Sequence, residues 1–139
     1  DQIIPAADYK GCRILVVDDN IRNLLALTPV LEKWGVTVIG AGDGQEALDT
    51  LQDDSAFDLI LMDLMMPAQD GFETMERIAA NPELATIPRT ARIANVSDDD
   101  RQGALACGAV DFLAKPVEAE ELKRVLDQCL HHKTRKDVL

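Results

Sequence analysis

Asp63 lies between an acidic pair, Asp18-Asp19, and a Lys-Pro dipeptide, Lys115-Pro116, and each of the three marks follows a short run of β-forming apolar residues. The runs are Ile14-Leu-Val-Val17, Phe57-Asp-Leu-Ile-Leu-Met62 and Val110-Asp-Phe-Leu-Ala114. Three acids and one amine at three strand ends point to phosphoryl chemistry on a carboxylate. In an open parallel α/β sheet, ligands bind outside the carboxyl ends of the strands, so residues far apart in sequence converge there. Clustered carboxylates repel one another and are normally held by a cation. Mg²⁺ suits them, because it takes oxygen ligands and typically uses one or two protein carboxylates plus phosphate oxygens. Asp19 and Asp63 read as direct metal ligands, with Asp18 acting directly or through water. Asp63, alone after its strand, is the candidate nucleophile for an aspartyl-phosphate. Lys115 supplies cationic charge for the transferred phosphoryl group.

The elements that must position these residues alternate along the chain. Apolar runs alternate with amphipathic stretches, the pattern of repeated βα units around a parallel sheet. Five strands are expected at about 13–17, 36–40, 57–62, 87–93 and 109–114. The first helix carries Ile21, Leu24, Leu25 and Leu31 near one face and ends before Gly35. Helices near 44–53 and 71–80 follow, then one opened by a Ser97 to Asp100 capping box, and a last one with Leu122, Val125, Leu126 and Cys129. The Asp98-Asp-Asp100 run reads as helix-start electrostatics rather than a metal site. Pro29, inside the first helix, is expected to kink or break it. Trp34, Met62, Met65 and Met66 read as packing residues.

Composition sets further bounds. A chain of 139 residues is one domain's length, expected at 12–130, with 1–11 and 131–139 as flexible ends or linkers. Cys12, Cys107 and Cys129 are an odd number without CxxC or Cys/His spacing, which argues against a disulfide framework and a zinc site and for a reducing, cytoplasmic setting. No apolar run approaches a membrane span. A net charge of −11 disfavours direct nucleic-acid binding; the basic cluster is the tail His131-His-Lys-Thr-Arg-Lys136. The first residue is Asp1, not Met, so an excised piece of a longer protein is one reading.

Asp18-Asp19, Asp63-Leu-Met-Met-Pro67 with Asp70-Gly71, and Phe112-Leu-Ala-Lys-Pro116 together resemble the response-regulator receiver domain, across about residues 12 to 130. That resemblance implies a doubly wound, flavodoxin-like (βα)5 fold with strand order 2-1-3-4-5. It implies phosphorylation of Asp63 by a histidine kinase or histidine phosphotransfer domain, dependence on Mg²⁺, the Met65 backbone carbonyl in the metal shell, and a cis Lys115-Pro116 bond. Slow autodephosphorylation, and an output domain or partner engaged through the strand 4 to helix 5 face, also belong to that expectation. A pseudo-receiver interaction module without phosphorylation-driven switching is the alternative. An Asp-nucleophile phosphatase is disfavoured, since Met65 stands where its second acid belongs.

Two positions depart from the pattern. The family resembles itself in ending strand 4 with Thr or Ser, where this chain has Ile93; Phe112 occupies the aromatic switch position. Thr90 is an odd number of residues from Ile93 and should face the other side of the sheet. Strand 4 reads Arg89-Thr-Ala-Arg-Ile93 where a central strand should be continuously aliphatic. A rearranged strand or a local sequence error is the favoured account. Pairing of the arginines with the acids is the third, disfavoured because it requires an unusual backbone.

Overall fold

The computed structural model describes residues 8–64, 70–93, 98–114 and 117–130. Its elements run β1 (Arg13–Val17), α1 (Ile21–Lys33), β2 (Thr37–Ala41), α2 (Gly44–Asp53), β3 (Leu59–Asp63), α3 (Asp70–Ala80), β4 (Arg89–Ile93), α4 (Asp98–Ala106), β5 (Asp111–Ala114) and α5 (Ala119–Cys129). The five strands form one sheet in the order β2-β1-β3-β4-β5, and every pairing is parallel. This is the doubly wound order that the receiver-domain resemblance implies, and it brings the ends of β1 and β3 side by side.

Period-2 alternation divides the core between the two faces of the sheet. Leu15, Val17, Ile60, Met62, Ala91 and Ile93 face one way, with Ala47 and Leu51 of α2, Met75 and Ile78 of α3, and Ala104 of α4. Ile14, Val16, Leu59, Leu61 and Leu113 face the other way, with Leu27 and Leu31 of α1 and Leu122, Val125, Leu126 and Cys129 of α5. The four α5 positions read from the sequence are all buried. In α1 the expected face is corrected. Ile21 and Leu25 are exposed, Leu24 is half-buried, and Leu27 and Leu31 carry the packing. Pro29 does not break α1, which runs through it to Lys33, with the Thr28 hydroxyl donating back to the Leu24 carbonyl at 2.7 Å.

Local chemistry sets the helix ends. The Asn20 side chain accepts from the Arg22 N–H at 2.9 Å to cap α1, and Asp43 accepts from the Glu46 N–H at 2.8 Å to cap α2. Both caps went unread in the sequence, although Asn or Asp directly before an amphipathic run is the ordinary signal. Ser97, the anticipated cap of α4, lies outside the described residues, as does the tail from His131. Ahead of β1, Tyr9 packs edge-on against Trp34 and its hydroxyl donates to Asp127 on α5, so the packed unit begins upstream of residue 12. Cys12, Cys107 and Cys129 are free and buried.

Arg89–Ile93 is a regular strand. It pairs with β3 from Ile60↔Arg89 to Asp63↔Arg92 and with β5 from Thr90↔Asp111 to Ile93↔Ala114. The favoured expectation of a rearranged strand is therefore wrong. All five residues are buried. Thr90 faces α5, 3.8 Å from the Cys129 Sγ, while Ile93 enters the apolar cluster on the opposite face, as the odd spacing requires.

Candidate functional site

The end of β1 delivers Asp18 and Asp19, and the end of β3 delivers Asp63. One carboxylate oxygen from each lies within 4.8 Å of the others. Asp18 and Asp63 are buried, at 0 and 1 % exposure, and Asp19 is exposed. Asp18 is fixed through its own backbone, whose N–H donates to the Ala41 carbonyl at 3.0 Å, and its Oδ1 accepts the Asn20 N–H at 2.9 Å.

Gly71 makes the geometry at Asp63 attainable. A Cβ at residue 71 would stand 2.3 Å from the Asp63 carbonyl oxygen and 3.1 Å from the Leu64 Cα. The start of α3 therefore lies directly on the backbone that presents Asp63, closer than any side-chain-bearing residue permits.

Arg92 was missed as a site residue. It shares Cα register with Asp63, and parallel neighbours in register project to the same face. Its Nη1 donates to Asp18 Oδ2, forming an ion pair with side-chain exposures of 3 and 0 %. Pairing of an arginine with the acids, the disfavoured account, is what the structure adopts, and it needs no unusual backbone. Arg89 projects to the other face, where carbonyls take its Nη donors and its Nε has no hydrogen-bond partner. Its Nη1 donates to Ala85 and Ile87 at 3.2 and 3.1 Å, and its Nη2 to Gly108 at 3.3 Å.

Buried acids this close need compensating charge. Arg92 supplies part of it, and three hard carboxylate donors in one cleft are the ligand chemistry that Mg²⁺ takes. Asp18 has both oxygens engaged by the protein, one by the Asn20 N–H and the other by Arg92. Met65 and Lys115 lie outside the described residues. Ile93 is 3 % exposed and presents no polar atom. Phe112 is half-buried against the same cluster as Ile93, with the Arg101 guanidinium 5.3 Å from its ring centre.

Residues 14–127 match the family model described as the response regulator receiver domain. The chain is 34 % identical over 125 residues to the sensor protein GacS of Pseudomonas syringae pv. syringae, covering 88 % of this chain and 14 % of that protein. It is 38 % identical over 125 residues to the transcriptional regulatory protein ZraR of Escherichia coli K12, covering 89 % of this chain and 27 % of the relative. The chain thus spans about a seventh to a quarter of these curated relatives. Among solved structures, it is similar to the receiver domain of the sensor histidine kinase PA1611 from Pseudomonas aeruginosa PAO1, in which a magnesium ion is coordinated in the active-site cleft. That match has a TM-score of 0.78 and 33 % identity, and covers 87 % of this chain and 98 % of the other. The receiver domain of Ssk1 from Saccharomyces cerevisiae, crystallised with the histidine phosphotransfer protein Ypd1, matches with a TM-score of 0.76 and 27 % identity over 94 % of each chain. With its sheet order, its acidic cleft at the strand ends and these relatives, the chain belongs to the response-regulator receiver domains of two-component signalling.

Proposed function

We propose that Asp63 is the phosphoacceptor of this receiver and takes its phosphoryl group from the phosphohistidine of a histidine kinase or histidine phosphotransfer domain. The observation that carries this reading is the convergence of Asp18, Asp19 and Asp63 at the carboxyl end of the sheet. An Asp63 carboxylate oxygen attacks phosphorus, a P–O bond forms, and the P–N bond breaks with its electron pair leaving on the imidazole nitrogen. Asp19 and Asp63 would hold Mg²⁺, with the Met65 carbonyl completing the set. The metal's contribution is neutralisation of charge on the phosphoryl oxygens. Asp18 and Asp19 keep the cleft acidic enough to attract a cation, and Arg92 prevents the buried pair from being left without one. Lys115 is assigned to the phosphoryl oxygens. The Ssk1 receiver crystallised with Ypd1 supports a phosphotransfer partner for this chain as well.

No helix among the described residues is long and apolar enough to cross a membrane, and the acidic charge opposes direct nucleic-acid contact. A cytoplasmic setting, with output through the β4 to α5 face, completes the reading. Ile93 favours a second reading, a pseudo-receiver that binds partners without phosphorylation-driven change. Intact-mass measurement after acetyl phosphate treatment separates them. An adduct of one phosphoryl group that needs Mg²⁺ and disappears in Asp63→Asn is expected. Its absence from the unaltered chain, or its persistence in EDTA or in Asp63→Asn, refutes the assignment.

A further inference from the structure

Once phosphorylated, Asp63 places additional anionic oxygens in a cleft where two carboxylates are already buried. The buried cation described there is Arg92. Its Nη1 is committed to Asp18, while its Nε, in a residue 3 % exposed, has no hydrogen-bond partner. Two observations thus point to the same ligand. A cation contacts one acid of the triad, Asp18, and its side chain, which carries a buried donor in reserve, leaves β4 level with Asp63 and on the same face of the sheet. A guanidinium presents five donors in a planar fork that matches phosphate oxygens, so one edge can hold a carboxylate while another binds an oxyanion.

We infer that Arg92 is a phosphoryl-binding residue of this site, with Asp18 as the positioning residue that aims it. Nη1 remains on Asp18, and the remaining donors, Nε among them, meet the phosphoryl oxygens on Asp63. The inference rests on Asp63 being the phosphoacceptor. It also gives the end of β4 a means of sensing phosphorylation that does not require a hydroxyl at residue 93. Because the cation is held before the phosphoryl group arrives, the contact needs little reorganisation as charge develops. In the unmodified state the same cation opposes Mg²⁺, since it lies against one carboxylate of the metal cleft.

Arg92 therefore acts with opposite sign on two ligands, which a purely structural residue does not do. The experiment titrates the full chain with Mg²⁺ alone, and then with beryllofluoride at saturating Mg²⁺, following Trp34 fluorescence or backbone amide shifts. Arg92→Val and Arg92→Met are compared with the unaltered chain after thermal unfolding has shown that each is folded. Tighter Mg²⁺ binding together with beryllofluoride affinity weakened about tenfold or more is the expected result, the latter being the loss of one charge-assisted hydrogen bond. In the unaltered chain, the Arg92 Nε–H resonance should shift on adding beryllofluoride, so the inference remains testable if neither variant folds. Asp63-dependent beryllofluoride binding with a stationary Nε–H resonance, or with affinity unchanged in a folded variant, overturns the role of Arg92 alone. Binding that is absent from the unaltered chain, or persists in Asp63→Asn, overturns the phosphoacceptor reading and this inference with it.

Discussion

Gly71→Ala tests whether the start of α3 sets the position of the Asp63 carboxylate. Two effects compete. Within a helix, alanine is favoured over glycine by roughly 0.5–1 kcal/mol because less backbone entropy is lost on folding. Against that, the new methyl group would stand 2.3 Å from the Asp63 carbonyl oxygen, where Cβ contacts below 3.0 Å are essentially never found. The neighbour is backbone on both sides, so no flexible side chain can yield. Either α3 or the end of β3 must move by at least the missing 0.7 Å. Overpacking of this kind costs about 1–3 kcal/mol, which exceeds the helix gain. The net loss of about 0.5–2 kcal/mol should lower the melting temperature by roughly 2–8 °C for a domain of this size. Displacing the carboxylate by that distance should also slow adduct formation from acetyl phosphate about tenfold or more, since a 1 Å misplacement can cost about a hundredfold. Gly103→Ala is the control. In α4 its Cβ would meet only the Phe72 ring, at 3.5 Å, and the substitution should stabilise the chain by about 0.5–1 kcal/mol. Thermal unfolding and time-resolved intact mass provide both readouts. A Gly71→Ala chain that melts no lower than the unaltered one and acquires the adduct at the same rate would show that this close approach does not position Asp63.

Arg92→Leu leaves Asp18 buried beside Asp63 without its cation and should lower stability by about 3–5 kcal/mol in EDTA, with Mg²⁺ restoring much of the loss; chemical denaturation with and without the metal checks this. Asp19→Ala should abolish Mg²⁺ binding measured by titration calorimetry, because a hydrated ion held by few carboxylates depends on each of them. At the far end of α5, burial pushes the Asp127 carboxyl upward, but hydrogen bonds from the Tyr9 hydroxyl and the Lys123 ammonium outweigh it and hold the carboxyl below its ordinary 3.8. A depressed folded value stabilises the protein above the unfolded value and ceases to do so as pH falls through the folded one. Tyr9→Phe should therefore cost about 1 kcal/mol at pH 7 and progressively less below pH 4, as followed by urea unfolding at both pH values.

Much of the frame was legible because β1 and β3 are short, largely aliphatic runs and amphipathic stretches separate the strands. β1 lies where its aliphatic run predicts, and α5 buries the four residues its periodicity selects. The first turn of α1 misled because Ile21 and Leu25 satisfy the helical spacing but lie outside the packed stripe, whereas Leu24, Leu27 and Leu31 keep it. The meeting of Asp18, Asp19 and Asp63 follows from strand order alone. The role of Arg92 does not, because it depends on register: the arginine must fall level with Asp63 in β4 and meet an acid two strands away, 74 positions earlier in the chain. Aliphatic patterning is a sound rule for a central strand, and it failed where two charged side chains each had a fixed set of partners.

Those partners also determine how transferable β4 is. Arg89 and Arg92 leave the strand on opposite faces, one closing on the carbonyls of Ala85, Ile87 and Gly108 at the base of the sheet, the other on Asp18 at its top. Sliding β4 by one residue would exchange the two faces and bury each cation among aliphatic side chains. The alignment is keyed by charge rather than by apolar shape. As a module, β4 is therefore not interchangeable with the aliphatic strand of a related domain: a graft that carried Arg92 without Asp18, or Arg89 without the left-handed turn at Gly108, would bring a buried charge into a sheet with no place for it.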